Sequence, residues 1–158
     1  MAAKKKKPTR KKAPAKRKKI VARKQPETLR LRGATPGLTV NDVNKSVAWY
    51  RDVLGFVVGD LWKDGDKLMG AELRTGTVTF VIGQDDWKKG RDRKKGEGFR
   101  MYCTTAQDVD SLAAQIRAKG GVLSHGPQDE PWGVRDFGLT DPDGFKITIQ
   151  GPLKAKKK

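Results

Sequence analysis

The sequence predicts an α+β fold: two βαβββ modules forming a curved mixed sheet cup, with helices on its outer face. Three observations predict it. A strand–helix–strand–strand–strand order runs twice through residues 33–152. One constant offset of 66 carries the first run onto the second, taking Asp42 to Asp108, Val43 to Val109, Tyr50 to Ile116, Gly55 to Gly121 and Phe56 to Val122. Any two β-α units share a cap and a closing glycine. A single offset that also fits core positions favours a true duplication. The strong positive charge, finally, lies outside both runs.

Each element has a local reason. Residues 37–42, GLTVND, read as a short strand ending on Asp42, a helix N-cap. Val43, Val47, Tyr50 and Leu54 then recur at helical spacing, and Gly55 closes the turn. FVVGDLW, KLMGAELR and TVTFVIG follow as strands, separated by Asp64-Gly65-Asp66 and Thr75-Gly76. DDWKKGRDRKKGEG is a charged linker. FRMYCTT restarts the order, and Asp108 caps a helix with Val109, Leu112, Ala113 and Ile116 on its apolar side. VLSHG, WGVRDFGLT and FKITIQ close the second module as strands. The expected organisation is a basic tail over 1–30, one domain over 31–152 with modules at about 34–84 and 98–151, and a basic tail over 153–158.

The formal charge is +17 over 158 residues, but residues 1–24 hold 13 Lys and Arg and no acid. Residues 33–153 hold 16 basic residues against 17 acidic ones, so the predicted domain is close to neutral. The Lys/Ala/Pro-rich tail cannot bury enough apolar surface to offset chain entropy and is expected to be disordered. Lys4, Lys5, Lys6, Lys7, Arg10, Lys11, Lys12, Lys16, Arg17, Lys18 and Lys19 are its candidate polyanion contacts, by counterion release and without base stacking. Cys103 is the only cysteine, which excludes an intrachain disulfide. No apolar run approaches the length of a membrane span, and the N-terminus lacks an apolar signal core. A cytoplasmic protein is expected, with nucleoid association through the tail.

Two stretches are more specific. Val40-Asn41-Asp42-Val43, Ser46 and the run Trp49-Tyr50-Arg51-Asp52-Val53-Leu54-Gly55-Phe56 resemble the opening of the vicinal oxygen chelate superfamily. That group includes glyoxalase I, extradiol dioxygenases, fosfomycin-resistance enzymes and bleomycin-resistance proteins. Pro131-Trp132-Gly133-Val134-Arg135-Asp136-Phe137, followed by Asp141-Pro142-Asp143-Gly144, resembles its closing hairpin, especially in the bleomycin-resistance-like branch. The resemblance covers roughly residues 34–151.

The resemblance implies four metal-ligand positions, one seven residues before each cap Asp and one in the last strand of each module. Here the first two fall on Thr35 and Met101. TVTFVIG offers no carboxylate, amide or imidazole, and the position four after Gly144 is Thr148. Lys146 and Gln150 should share its face by period-two alternation, and a Lys there repels a metal. No metal and no cofactor are expected.

The cup is then expected to bind a small, aromatic or anionic molecule, in a protein that forms a homodimer. Thr35, Phe80, Met101, Trp132, Arg135, Phe137, Lys146 and Thr148 are its candidate lining residues. Trp132 and Phe137 would stack on a ring, and Arg135 or Lys146 would pair with an anion. A second reading is a lyase or dioxygenase of the same superfamily with an irregular metal site drawn from His125, Glu72 and Glu97. A third is a nucleic-acid-associated protein that uses the fold as a scaffold. The bland alternatives are a strand-end imidazole for His125, surface carboxylates for Glu72 and Glu97, and a buried small hydrophobe for Cys103.

Overall fold

The computed structural model describes residues 33–154. The elements are β1 (Gly37–Val40), α1 (Val43–Asp52), β2 (Val57–Asp64), β3 (Lys67–Thr75), β4 (Val78–Gln84), β5 (Arg100–Thr104), α2 (Val109–Ala118), β6 (Leu123–Asp129), β7 (Val134–Thr140) and β8 (Lys146–Pro152). The strand order is β1-β4-β3-β2 in one sheet and β5-β8-β7-β6 in the other. In each, the first strand pairs parallel with the last and the remaining pairs are antiparallel. The expected α+β class and βαβββ duplication are therefore present, as two hydrogen-bonded sheets rather than one continuous sheet. The two helices keep the offset of 66, whereas Val78 at the start of β4 corresponds to Lys146 at the start of β8, two residues further on. The turns between the later strands are longer in the second module.

Both helices start at the expected caps. Asp42 accepts from the Asn44 and Lys45 amides, each at 3.1 Å, and Asp108 accepts from the Ser111 amide at 2.8 Å. These bonds satisfy amides that the first helical turn leaves without intrahelical partners. Gly55 leaves α1 at φ +76°. After α2 the left-handed residue is Gly120, at φ +85°, one position before the glycine that the offset selects. Gly121 serves close packing instead: a β-carbon there would strike Ile116 and Val53.

Each helix covers one face of its own sheet, and a single apolar cluster runs through both modules. Tyr50, Phe56 and Phe80 form its aromatic part, with ring centroids 5.2 to 6.2 Å apart. Leu73, Ile82, Phe137, Leu139 and Ile147 extend it, all essentially without solvent exposure.

The modules meet where the two sequence motifs meet. The buried Tyr50 hydroxyl donates to Asp141 Oδ2 at 3.0 Å. The other oxygen of Asp141 accepts the amides of Asp143 and Phe145 at 3.0 and 2.8 Å, which folds the Asp-Pro-Asp-Gly turn. Asp143 then accepts the Asn41 amide at 2.7 Å and the hydroxyl of fully buried Ser46 at 3.0 Å. Burial, then the neighbouring Asp141 charge, pushes the Tyr50 hydroxyl well above the usual tyrosine range. Burial also raises the Asp141 carboxyl.

The linker after β4 is anchored in the same region. Asp85 is buried, receives the Trp87 amide at 2.8 Å, and pairs with Arg93 at 2.9 Å and with Lys95, itself buried. Lys95 first, then the Trp87 amide, lowers the Asp85 carboxyl to about 2. Gly96 passes so close to the Gly144 carbonyl that no side chain fits between them.

Replacing Tyr50 by Phe should cost about 1–3 kcal/mol, because a buried carboxylate loses a donor that water cannot replace. Urea unfolding of the Tyr50→Phe variant measures this. An unchanged midpoint would remove the bond from the ties between the modules.

Candidate functional site

In β8 the burial pattern assigns the faces. Ile147 is core and Ile149 packs against it, so alternation turns Lys146, Thr148 and Gln150 the other way. The register carries this across the sheet. Arg100, Tyr102 and Thr104 of β5 stand opposite Lys146, Thr148 and Gln150. Gly138 and Asp136 of β7 stand opposite Thr148 and Gln150, and His125 of β6 lies opposite Gly138. The face of the second sheet turned away from α2 is therefore polar almost throughout.

Two contacts organise that face. Arg100 Nη1 donates to Thr148 Oγ1 at 2.8 Å, and Thr148 is only 2% exposed. His125 Nε2 lies 3.1 Å from Asp136 Oδ1, with Asp136 buried and the imidazole one-third exposed. The ring lies over Gly138, where a β-carbon would collide with the imidazole and with the Ser124 hydroxyl. Glycine at 138 is what leaves room for the imidazole. Guanidinium, threonine hydroxyl and imidazole thus follow one another across adjacent strands, with the Lys146 ammonium beside Arg100 in register.

The predicted lining residues separate into groups. Lys146 and Thr148 lie on the polar face. Thr35 precedes β1 and is exposed. Trp132 is 66% exposed in the turn between β6 and β7. Phe137, Met101 and Phe80 lie off the polar face, the last two beside a small pocket that Tyr102 also lines. Phe137 is fully buried on the α2 side, Met101 is registered with core Ile147, and Phe80 packs against Tyr50 and Phe56. Arg135 lies off it too. Its Nε and Nη2 donate to both oxygens of Asp110 on α2 at 2.8 Å, and its Nη1 donates to Asp129 at 2.7 Å. Phe137, Met101 and Arg135 miss the polar face for one reason: a one-residue change of position along a strand reverses the side. Phe80 stands on β4, in the first sheet. The spacing of seven before Asp108 selects Met101, whereas the residues beside Thr148 and Lys146 are Tyr102 and Arg100. Sequence reasoning missed Arg100 and Asp136. The signal available was alternation itself, since both share parity with Thr148 once each strand's register is known.

The first sheet presents a different surface away from α1. Trp62 lies over Gly70, and Glu72 pairs with Arg74. Glu97 is exposed in the linker. Among the described residues, no three His, Cys, Asp or Glu side chains converge to hold a metal ion. The donor set at Thr148 does not fit one: the hydroxyl is engaged by a guanidinium, and a second cation, Lys146, is adjacent. The basic stretch from Lys4 to Lys19 lies outside the described residues.

Residues 32–149 match the profile of the Glyoxalase/Bleomycin resistance protein/Dioxygenase superfamily. The chain belongs to that superfamily. Solved structures agree on the fold. TioX from Micromonospora sp. ML1 is 22% identical, over 77% of this chain and all of its own, with a TM-score of 0.63. A glyoxalase/bleomycin resistance protein/dioxygenase from Nocardioides is 18% identical, over 83% of this chain and 90% of its own, at 0.64. A protein of unknown function from Agrobacterium tumefaciens str. C58 is 28% identical, over 80% and 98%, at 0.61. No curated protein matches the chain. Among the described residues, no helix is long and apolar enough to cross a membrane.

The Arg135–Asp110 pair gives a pH dependence with a definite sign. Hydrogen bonds from Arg135, then Lys154, hold the Asp110 carboxyl well below the usual range. A depressed folded-state value contributes stability above the ordinary Asp range of about 3.9, and that contribution fades as the pH falls below it. The stability gap between wild type and Arg135→Gln should therefore narrow on going from about pH 7 to about pH 3 in denaturant titrations. A gap that stays constant would assign the loss to packing.

Proposed function

We propose that this chain is a metal-free member of its superfamily that binds a small anionic molecule on the polar face of the second sheet. The observation that carries the reading is the Arg100–Thr148 bond: where the family resemblance places an acidic metal ligand, a guanidinium holds a buried hydroxyl. Arg100 and Lys146 would face the anion, with Arg100 giving directional donors and Lys146 a point charge. His125, fixed by Asp136, supplies a further polar contact. Ring stacking, where the ligand is aromatic, falls to Tyr102 on the same face, 63% exposed.

A panel of aromatic carboxylates and phosphonates tests this by calorimetry. Saturable binding should weaken about tenfold or more in Arg100→Ala, the scale of one lost charge-assisted hydrogen bond. Incubation with Fe, Mn, Ni and Zn followed by desalting should leave no stoichiometric metal. One tightly held metal per chain would sink the metal-free reading, and equal affinity in Arg100→Ala would sink the site.

The His125–Asp136 pair favours a second reading, proton transfer to or from a ligand bound on the same face, since a carboxylate that orients an imidazole is suited to that task. The basic tail is proposed to associate with DNA or RNA independently of this face. Its affinity should fall linearly with salt on a logarithmic scale, and an affinity unaffected by deleting residues 1–30 would discard it.

A further inference from the structure

A cavity of about 430 Å³ opens on the other side of the second sheet, away from the polar face. Both modules build it. Val53 and Phe56 come from the chain leaving α1, Val78 from the start of β4, Leu112 and Ile116 from α2, and Ile147 from β8. Its size falls in the range of about 300–1,000 Å³ typical of small-molecule pockets. No Asp or Glu lines it, and Lys119 is its one charged lining residue. Among the described residues, Lys119 forms no ion pair within 4 Å; nearby Asp52 has both oxygens engaged by Arg51. Cys103, the chain's only thiol, is part of the wall, on the same face as Ile147 and Ile149.

We propose that this cavity is a second ligand site, for a small amphiphile whose aliphatic or aromatic body lies against Phe56, Leu112, Ile116 and Ile147 and whose carboxylate or sulfonate meets Lys119. Mainly apolar walls, with threonine and glutamine side chains beside them and a single cation, select that chemistry. The body gains from leaving water, and the head meets the one charged side chain of the wall. A small occupant fits the volume, and the end of α1, the β3–β4 turn, β5, α2 and β8 wall the space on several sides. The site is independent of the anion site of the preceding section: Ile147 and Ile149 face it, and Thr148 faces away.

The full chain provides its own reporter. The probe is 8-anilinonaphthalene-1-sulfonate, and the readout is the rate at which a disulfide reagent modifies Cys103. Saturating probe should slow modification about fivefold or more. Lys119→Ala should raise the probe concentration required by about fivefold, the scale of one partly exposed ion pair. Leu112→Trp should abolish protection by filling the space, and Lys119→Ala alone decides if that variant does not fold. Probe fluorescence without Cys103 protection would mean binding elsewhere, including at the basic tail, and would overturn the proposal. So would a thiol that never reacts, which would mean a closed cavity. Protection that rises with protein concentration in the absence of probe would assign the cavity to a second copy and overturn it equally.

Discussion

The structure depends on the bond from Tyr50 to Asp141. It joins the last turn of the first helix to the last turn of the second module, across 91 residues of chain. One carboxylate does two things: one oxygen folds the Asp-Pro-Asp-Gly turn on itself, and the other receives the hydroxyl from the facing module. Asp143 extends the tie to Asn41 and Ser46, so both acids of the turn are occupied by intramolecular contacts. Groups of this kind are costly to bury unless hydrogen-bonded, and here each oxygen of both carboxylates has a partner. Among the described residues, no buried side-chain nitrogen or oxygen lacks a partner.

With the modules fixed in this way, each strand has a helix side and an open side, and chemistry separates by parity. Even-numbered positions of β5, β7 and β8 carry guanidinium, hydroxyl, carboxylate and ammonium groups. Odd-numbered ones carry Met101, Phe137, Leu139 and Ile147 into the core. The two modules share a topology but not a surface. The first offers Trp62 over a glycine and a Glu72–Arg74 pair, whereas the second offers a cationic and imidazole-bearing strip. The modules share the frame and differ in the residues on their open faces.

The frame was legible in the sequence because its signals are local. Asp42 and Asp108 cap helices within a turn of their own position, and apolar spacing marks the covered faces of α1 and α2. The open face was legible only in part. Thr148 and Lys146 follow from counting within one strand after a recognisable turn, but Arg100, Asp136 and His125 become neighbours only through pairing across four strands. Bulges compound the problem. The β6–β7 register shifts between Leu123 and His125 and again between His125 and Gln128, so no fixed offset along the chain predicts which side chain reaches the open side. Arg135 shows the cost: read from sequence it could face either way, and its true partner, Asp110, stands on a helix 25 residues earlier.

The segment between the modules bears on assembly. A two-module chain can keep its halves together or exchange one with a neighbouring copy, and the connector decides which is easier. Here residues 85–99 are not a slack tether. Asp85 gathers Trp87, Arg93 and buried Lys95 onto one carboxylate, and Gly96 lies against the backbone of Gly144. Extending the connector to reach another copy would strip that carboxylate of its cations and open the backbone contact at the closing turn. The crossover is thus built to keep each chain's first half with its own second half.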